Sequence, residues 1–145
     1  LKEALLAQDP GARIVIMGDL NDDPNNASVD ATESLGAKHK ESDITSPDDL
    51  YNPWWDMLYN KGIGTLYYRG KWNLFDQIIF SAGLLDKSQP ERLHLLTNAV
   101  FSRDYLLQQE GKYKGSPKRT TAGGVWINGY SDHLPTQIFL VKDAK

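Results

Sequence analysis

The run Ile14-Val15-Ile16-Met17-Gly18-Asp19-Leu20-Asn21-Asp22-Asp23-Pro24 constrains this chain more than any other stretch. Its four leading apolar residues, three of them β-branched, read as a buried strand over 13–17. Gly18 removes the Cβ where the strand ends, so the backbone can turn or a ligand can come close. Asp19 and Asn21 follow, two residues apart. In an extended chain their side chains share a side, and one carboxylate with one amide suits a hydrated Mg²⁺ and a phosphate oxygen. Pro24 and Asn25-Asn26 close the segment as a turn. Taken alone, the same residues also describe a strand followed by an Asx-rich turn without chemistry.

The 145 residues suffice for one domain with a core, so 1–145 reads as a single unit. Hydrophobic residues at 40% and charged residues at 24% fit a globular chain, and no apolar run is long enough to span a bilayer. The lack of cysteine excludes disulfides, thiolate metal sites and a cysteine nucleophile. A net charge of −3 weighs against non-specific nucleic-acid binding, which a basic excess advertises. It agrees with a site built from carboxylates. The chain opens on Leu1, and 1–8 reads as the last turns of an amphipathic helix with Leu1, Leu5 and Leu6 on one face. The chain therefore reads as cut from something longer, which leaves its compartment open.

Asp9-Pro10-Gly11 stops that helix, and a helix running into a strand is an αβ unit, so a mixed α/β sheet is expected. Ser28 to Leu35 is a helix candidate, with Ser28 as N-cap and Gly36 as stop. Residues 37–49 read as surface loop, with His39 solvated between two lysines. Pro53 fits the first turn of a helix capped by Asn52. The aromatics Trp54 and Trp55, with Met57, suit packing on a sheet better than lining a cleft. Gly64 to Arg69 and Leu74 to Ser81 read as a hairpin turning at Gly70-Lys71. Asp76 interrupts the second strand, and a charge among apolar residues is costly unless paired, so it either sits at the solvated strand end or holds a partner. A histidine is the natural one, because the carboxylate accepts the ring N–H and fixes its tautomer. Leu93 to Phe101 carries enough apolar residues for a strand, with a helix as the alternative and His94 a packed or solvent-facing residue, and 104–109 reads as a short helical piece. The loop 111–120 then gathers Lys112, Lys114, Lys118 and Arg119, either as a solvated loop or facing phosphate. Asp132-His133 stands at the mouth of a final strand, Thr136 to Val141, where a general base or a phosphate-contacting imidazole would be placed.

Three loops thus offer Asp19 with Asn21, Asp76, and Asp132 with His133. The pieces Gly18-Asp19-Leu20-Asn21 after an apolar strand, the 72–81 segment (WNLFDQIIFS), and Ser131-Asp132-His133 followed by Leu-Pro resemble the endonuclease/exonuclease/phosphatase family. The resemblance implies a four-layered α/β/β/α sandwich like that of deoxyribonuclease I. This chain would supply its C-terminal half, with mixed sheet and flanking helices, and would lack the N-terminal half with its metal-binding glutamate. It implies His133 as the catalytic histidine, Asp76 as its orienting partner, Asp19 and Asn21 on the attacking water or the phosphoryl oxygens, and Asp132 in a metal site. The ion implied is Mg²⁺, or Mn²⁺ in its place.

The expected activity is metal-dependent hydrolysis of phosphate esters, nuclease-like before phospholipid or sugar-phosphate chemistry. Tyr68, Trp72, Lys118 and Arg119 are the candidates for holding substrate, nucleic acid included, by stacking and by charge. The alternative is a non-catalytic binding module that keeps the scaffold. A sheet face left uncovered by the absent half is expected to pair into a homodimer.

Overall fold

The segment Asp76–Ser81 decides the architecture, because five of its six residues are buried and a strand buried on both faces needs cover on each side. The computed structural model describes residues 1–144. In chain order its elements are α1 (Lys2–Gln8), β1 (Val15–Asp19), α2 (Ala27–Asp30), β2 (Ala37–Lys38), β3 (Leu50–Tyr51), α3 (Trp54–Tyr59), β4 (Leu66–Tyr68), β5 (Lys71–Asn73), β6 (Asp76–Ser81), β7 (His94–Val100), β8 (Thr121–Ala122), β9 (Val125–Trp126) and β10 (Thr136–Val141). Single 3₁₀ turns lie at 41–43, 82–84 and 104–106. This is a mixed α/β fold with several sheets and short helices.

The main sheet runs β1-β6-β3-β2, with β6 antiparallel to both β1 and β3. On one face of β6, Ile79 packs with Val29, Ala37 and Leu50, and with Ile16 from β1. On the other face, Ile78 joins Trp54, Met57 and Leu74, while Phe80 joins Leu84 and Leu95. Ile138 and Leu140 of the β7–β10 pair close over that second face. Trp54 is fully buried, and its indole N–H donates to the Ile78 carbonyl at 2.8 Å. It is a packing residue, as its neighbours in sequence suggested.

Several expectations need correction. The first strand is shifted to Val15–Asp19 and is not buried. It is the edge of the sheet, and Val15 and Met17, opposite Phe80 and Ile78, lie beyond the cover that β7 and β10 give to β6. In α1 only Leu6 is buried, while Leu1 and Leu5 face water. The helix expected over 28–35 is a single turn, Ala27–Asp30, because Ala31 already has extended dihedrals. Ser28 lies inside that turn and does not cap it; Asn26 holds the capping position, and both side chains donate to the Asp22 carboxylate.

The hairpin also differs. Its two strands are β4 and β5, joined through Arg69 and Gly70, whereas β6 leaves it to become the middle of the main sheet. Asp76 opens β6 rather than interrupting it. Within 37–49, Ala37 is buried in β2, and His39 is half-buried, stacked on Trp55 at 4.4 Å. The loop 111–120 is not free of structure, since Leu107 bridges Pro117 and Ser116 is buried. Strands β7 and β10 fall where the apolar runs placed them. Among the described residues no helix is long and apolar enough to cross a membrane.

Candidate functional site

Two adjacent strands end together. In the β1–β6 ladder Asp19 stands directly opposite Asp76, so their side chains share one face of the sheet rim. The polar loop after Asp19 is fastened from below by a buried amide chain. Gln77 Nε2 donates to the Asp22 carbonyl at 2.8 Å, and Asn52 Nδ2 donates to Gln77 Oε1 at 2.7 Å. Both amides are almost wholly buried, where each lost hydrogen bond costs about 1–3 kcal/mol. Asp23 Oδ1 accepts the Leu74 N–H at 2.7 Å, a third tie between this loop and the segment leading into β6. Burial holds the Asp23 carboxyl above the usual carboxylate range, against the pull of that N–H.

His133 arrives from the far end of the chain. Leu134 is buried and donates its N–H to the Thr65 carbonyl at 2.8 Å, and His133 itself bridges Leu66. Backbone pairing with the β4 edge therefore sets the imidazole beside the start of β6. His133 Nδ1 lies 2.7 Å from Asp76 Oδ2. A carboxylate can only accept, so Nδ1 carries the hydrogen and Nε2 remains for chemistry. Both side chains keep roughly a quarter of their surface, 24% and 23%, so a ligand can reach them.

Asp19, Asp76 and His133 each place a ligand atom within 4.8 Å of the others. The two carboxylates of this group are the oxygen donors a hard divalent cation takes, while the imidazole is already held by Asp76. Asp19 is exposed. Its Oδ1 accepts the Asn21 N–H at 2.9 Å, which leaves Oδ2 open. Asn21 itself has φ 54°, so the segment does not continue extended and the premise that put Asn21 beside Asp19 fails. The loop curls into an Asx turn around the carboxylate instead.

Asp132 lies outside the three-residue cluster. It is exposed and meets Arg119 Nη2 at 3.5 Å. Lys118 is half-buried, with its backbone engaged by Leu106 and Tyr130. Tyr68 is exposed on the β4–β5 hairpin with the Arg69 guanidinium 5.1 Å from its ring, while Trp72 is half-buried, edge-on to Tyr67. Sequence reasoning passed over Gln77 and saw Asn52 only as a helix cap; its Oδ1 does accept the Trp54 N–H at 3.0 Å, while its Nδ2 serves Gln77. The available signal was a glutamine inside an otherwise apolar strand, which has to be paired.

Against this geometry stands one comparison. The family model described as "Endonuclease/Exonuclease/phosphatase family" matches residues 1–142. The chain belongs to the endonuclease/exonuclease/phosphatase family. No curated protein and no solved structure matches it. Membership in the endonuclease/exonuclease/phosphatase family points to a hydrolase of the nuclease or phosphatase type.

Proposed function

We propose that this chain belongs to a divalent-metal-dependent phosphodiesterase, with nucleic acid as the first substrate to test and Mg²⁺, or Mn²⁺, as the ion. One observation carries the reading: an imidazole held by Asp76 at 2.7 Å stands within 4.8 Å of the open carboxylate of Asp19. Asp76 fixes the ring and steadies it when protonated, so His133 Nε2 can give or take a proton at a phosphoryl oxygen. Asp19 aligns the attacking water or accepts its proton, with its carboxylate set by the Asn21 N–H. Of the cluster, Asp19 is the open carboxylate and is assigned to the cation, which when bound would offset charge building on the phosphoryl oxygens. In this reading the β1–β6 sheet and the β7–β10 pair are inner layers of the four-layered sandwich, and the chain supplies its C-terminal half.

The test is Mg²⁺-dependent hydrolysis of a small phosphodiester by the protein beside His133→Ala and Asp19→Ala. Each variant is expected to lose about 10²–10⁴-fold in rate; wild-type rates in both end the proposal. A second reading, a binding module without catalysis, draws on the Arg119–Asp132 contact, which turns the carboxylate expected at the metal toward a guanidinium instead. It is favoured if Mg²⁺ leaves the melting temperature of the protein unchanged.

A further inference from the structure

Between the last two long strands the chain makes an arm that no core accounts for. Strands β8 and β9 pair across Gly123-Gly124, two residues with positive φ in the manner of a tight hairpin turn. Every residue from Thr121 to Trp126 is exposed. Pairing runs on below them: Ile127 N–H donates to Thr120 O at 2.9 Å, and Tyr130 N–H donates to Lys118 O at 2.7 Å. At the base the two segments are pressed together, since a Cβ on Gly129 would lie 2.0 Å from the Arg119 carbonyl oxygen. The arm therefore has a built base, and that base leads within three residues to His133.

What the arm shows to water is unusual for this chain. Trp126 is 65% exposed and Tyr130 60% exposed, and Tyr105 braces Tyr130 edge-on at 5.6 Å. Residues 103–133 hold five basic side chains against three acidic ones, a net +2, in a chain of net −3; the remainder carries −5. Lys118 and Arg119 sit at the arm's base, Arg119 with a long 3.5 Å contact to the exposed Asp132 carboxylate. A cationic strip carrying unpacked flat rings beside a phosphate-directed site matches one ligand chemistry: an anionic backbone that also offers flat faces. In duplexes those faces are stacked away, while a single strand leaves them free. A hairpin made to enter a lipid surface would carry its bulk at the tip. This tip is Gly-Gly flanked by Ala122 and Val125, with one ring four residues below the other.

We propose that the arm 118–130 binds single-stranded nucleic acid, with bases stacked on Trp126 and Tyr130 and backbone phosphates neutralised by Lys118 and Arg119. It thereby presents a phosphodiester to His133, and this last step rests on the hydrolytic reading above. The experiment measures fluorescence anisotropy of a labelled oligothymidylate with the protein in EDTA over a salt series, and cleavage of the same strand in Mg²⁺. Trp126→Ala and Tyr130→Ala are each expected to weaken binding roughly five- to hundredfold. Trp126→Phe, which keeps a flat ring, is expected to restore most of it. Lys118→Ala is expected to reduce the salt slope by about 0.7, the share of one phosphate on a single strand. Both rings are exposed, so circular dichroism of the variants should match the parent.

Equal binding by Trp126→Ala and the parent overturns the arm's assignment, and it leaves the hydrolytic reading intact if the parent cleaves a small phosphodiester. Trp126-dependent strand binding with no cleavage of any phosphodiester keeps the arm's ligand and removes the hydrolytic reading. Trp126-dependent binding to anionic phospholipid vesicles without strand binding also overturns the proposal, giving the arm to a membrane surface.

Discussion

Strands β1 and β6 lie side by side, are similarly apolar, and share a register from Val15–Phe80 to Asp19–Asp76, yet their surroundings are opposite. Along β6 five of six residues are buried, while Met17 in the middle of β1 is 72% exposed. Composition told them apart poorly; position in the sheet does it. The same contrast reaches the site. Asp76, at the buried strand's end, is committed to a histidine. Asp19, at the open strand's end, is committed only to its own loop and stays available. Two carboxylates facing each other thus acquire different work from the cover over the strands that carry them.

The largest effect should come from exchanging that work. Asp76→Asn keeps the shape but lets an amide donate, so the imidazole loses its fixed tautomer. Rate on a small phosphodiester should fall about 10²–10⁴-fold with the fold intact, and the loss should not be recovered at high Mg²⁺. Asp19→Asn, in contrast, should lower the rate mostly through a raised Mg²⁺ requirement. If added Mg²⁺ rescues both variants alike, the two carboxylates are equivalent and the contrast is broken.

Stability should separate the strands next. Ile79→Ala removes a side chain with no exposure from between two packed layers and should cost about 2–5 kcal/mol in urea unfolding. Met17→Ala, with most of its surface already in water, should stay within about 0.5 kcal/mol. Similar costs would mean that β1 is covered in solution. One cover is a second copy of the chain paired along the β1 edge, where main-chain donors and apolar Val15 and Met17 are both free to meet it. A dimer in light scattering that Met17→Lys converts to monomer would sharpen the comparison into an interface; a monomer at all concentrations would remove the pairing.

How far the sequence foretold this follows the same physics. Asp76 was half legible: a charge beside an apolar run has to reach a strand end or a partner, and the fold sets it at the start of β6 with His133 against it. Strands β7 and β10 were legible from their apolar runs. The exposure of β1 was not, because four apolar residues look the same on an edge as in the middle of a sheet. The turn at Asn21 was one of two readings of that stretch, left undecided because it depends on a hydrogen bond from its own backbone to Asp19 rather than on side-chain pattern. The short α2 was overestimated because the chain is already extended at Ala31, and Ser28, read as its cap, lies inside it with its hydroxyl donated to Asp22. Gln77 and Asn52 reveal their purpose only once long-range topology brings them together.

The smallest effect concerns what steadies the open side. Tyr59 Oη donates to Asn25 Oδ1 and so ties α3 to the loop that follows Asp19. Burial, with the nearby Asp23 carboxylate adding to it, pushes the Tyr59 hydroxyl from its ordinary 10.0 up to about 12. The folded chain therefore keeps a proton that the unfolded chain releases first. Its contribution is fully present below pH 10 and is lost as pH rises from about 10 toward 12. Tyr59→Phe should flatten that part of the stability curve measured by urea unfolding, while Tyr51, also raised by burial, titrates in both proteins and cancels. Parallel curves for parent and variant between pH 10 and 12 would show that the open strand's loop is held without this hydroxyl, leaving the buried amides of Gln77 and Asn52 as its support.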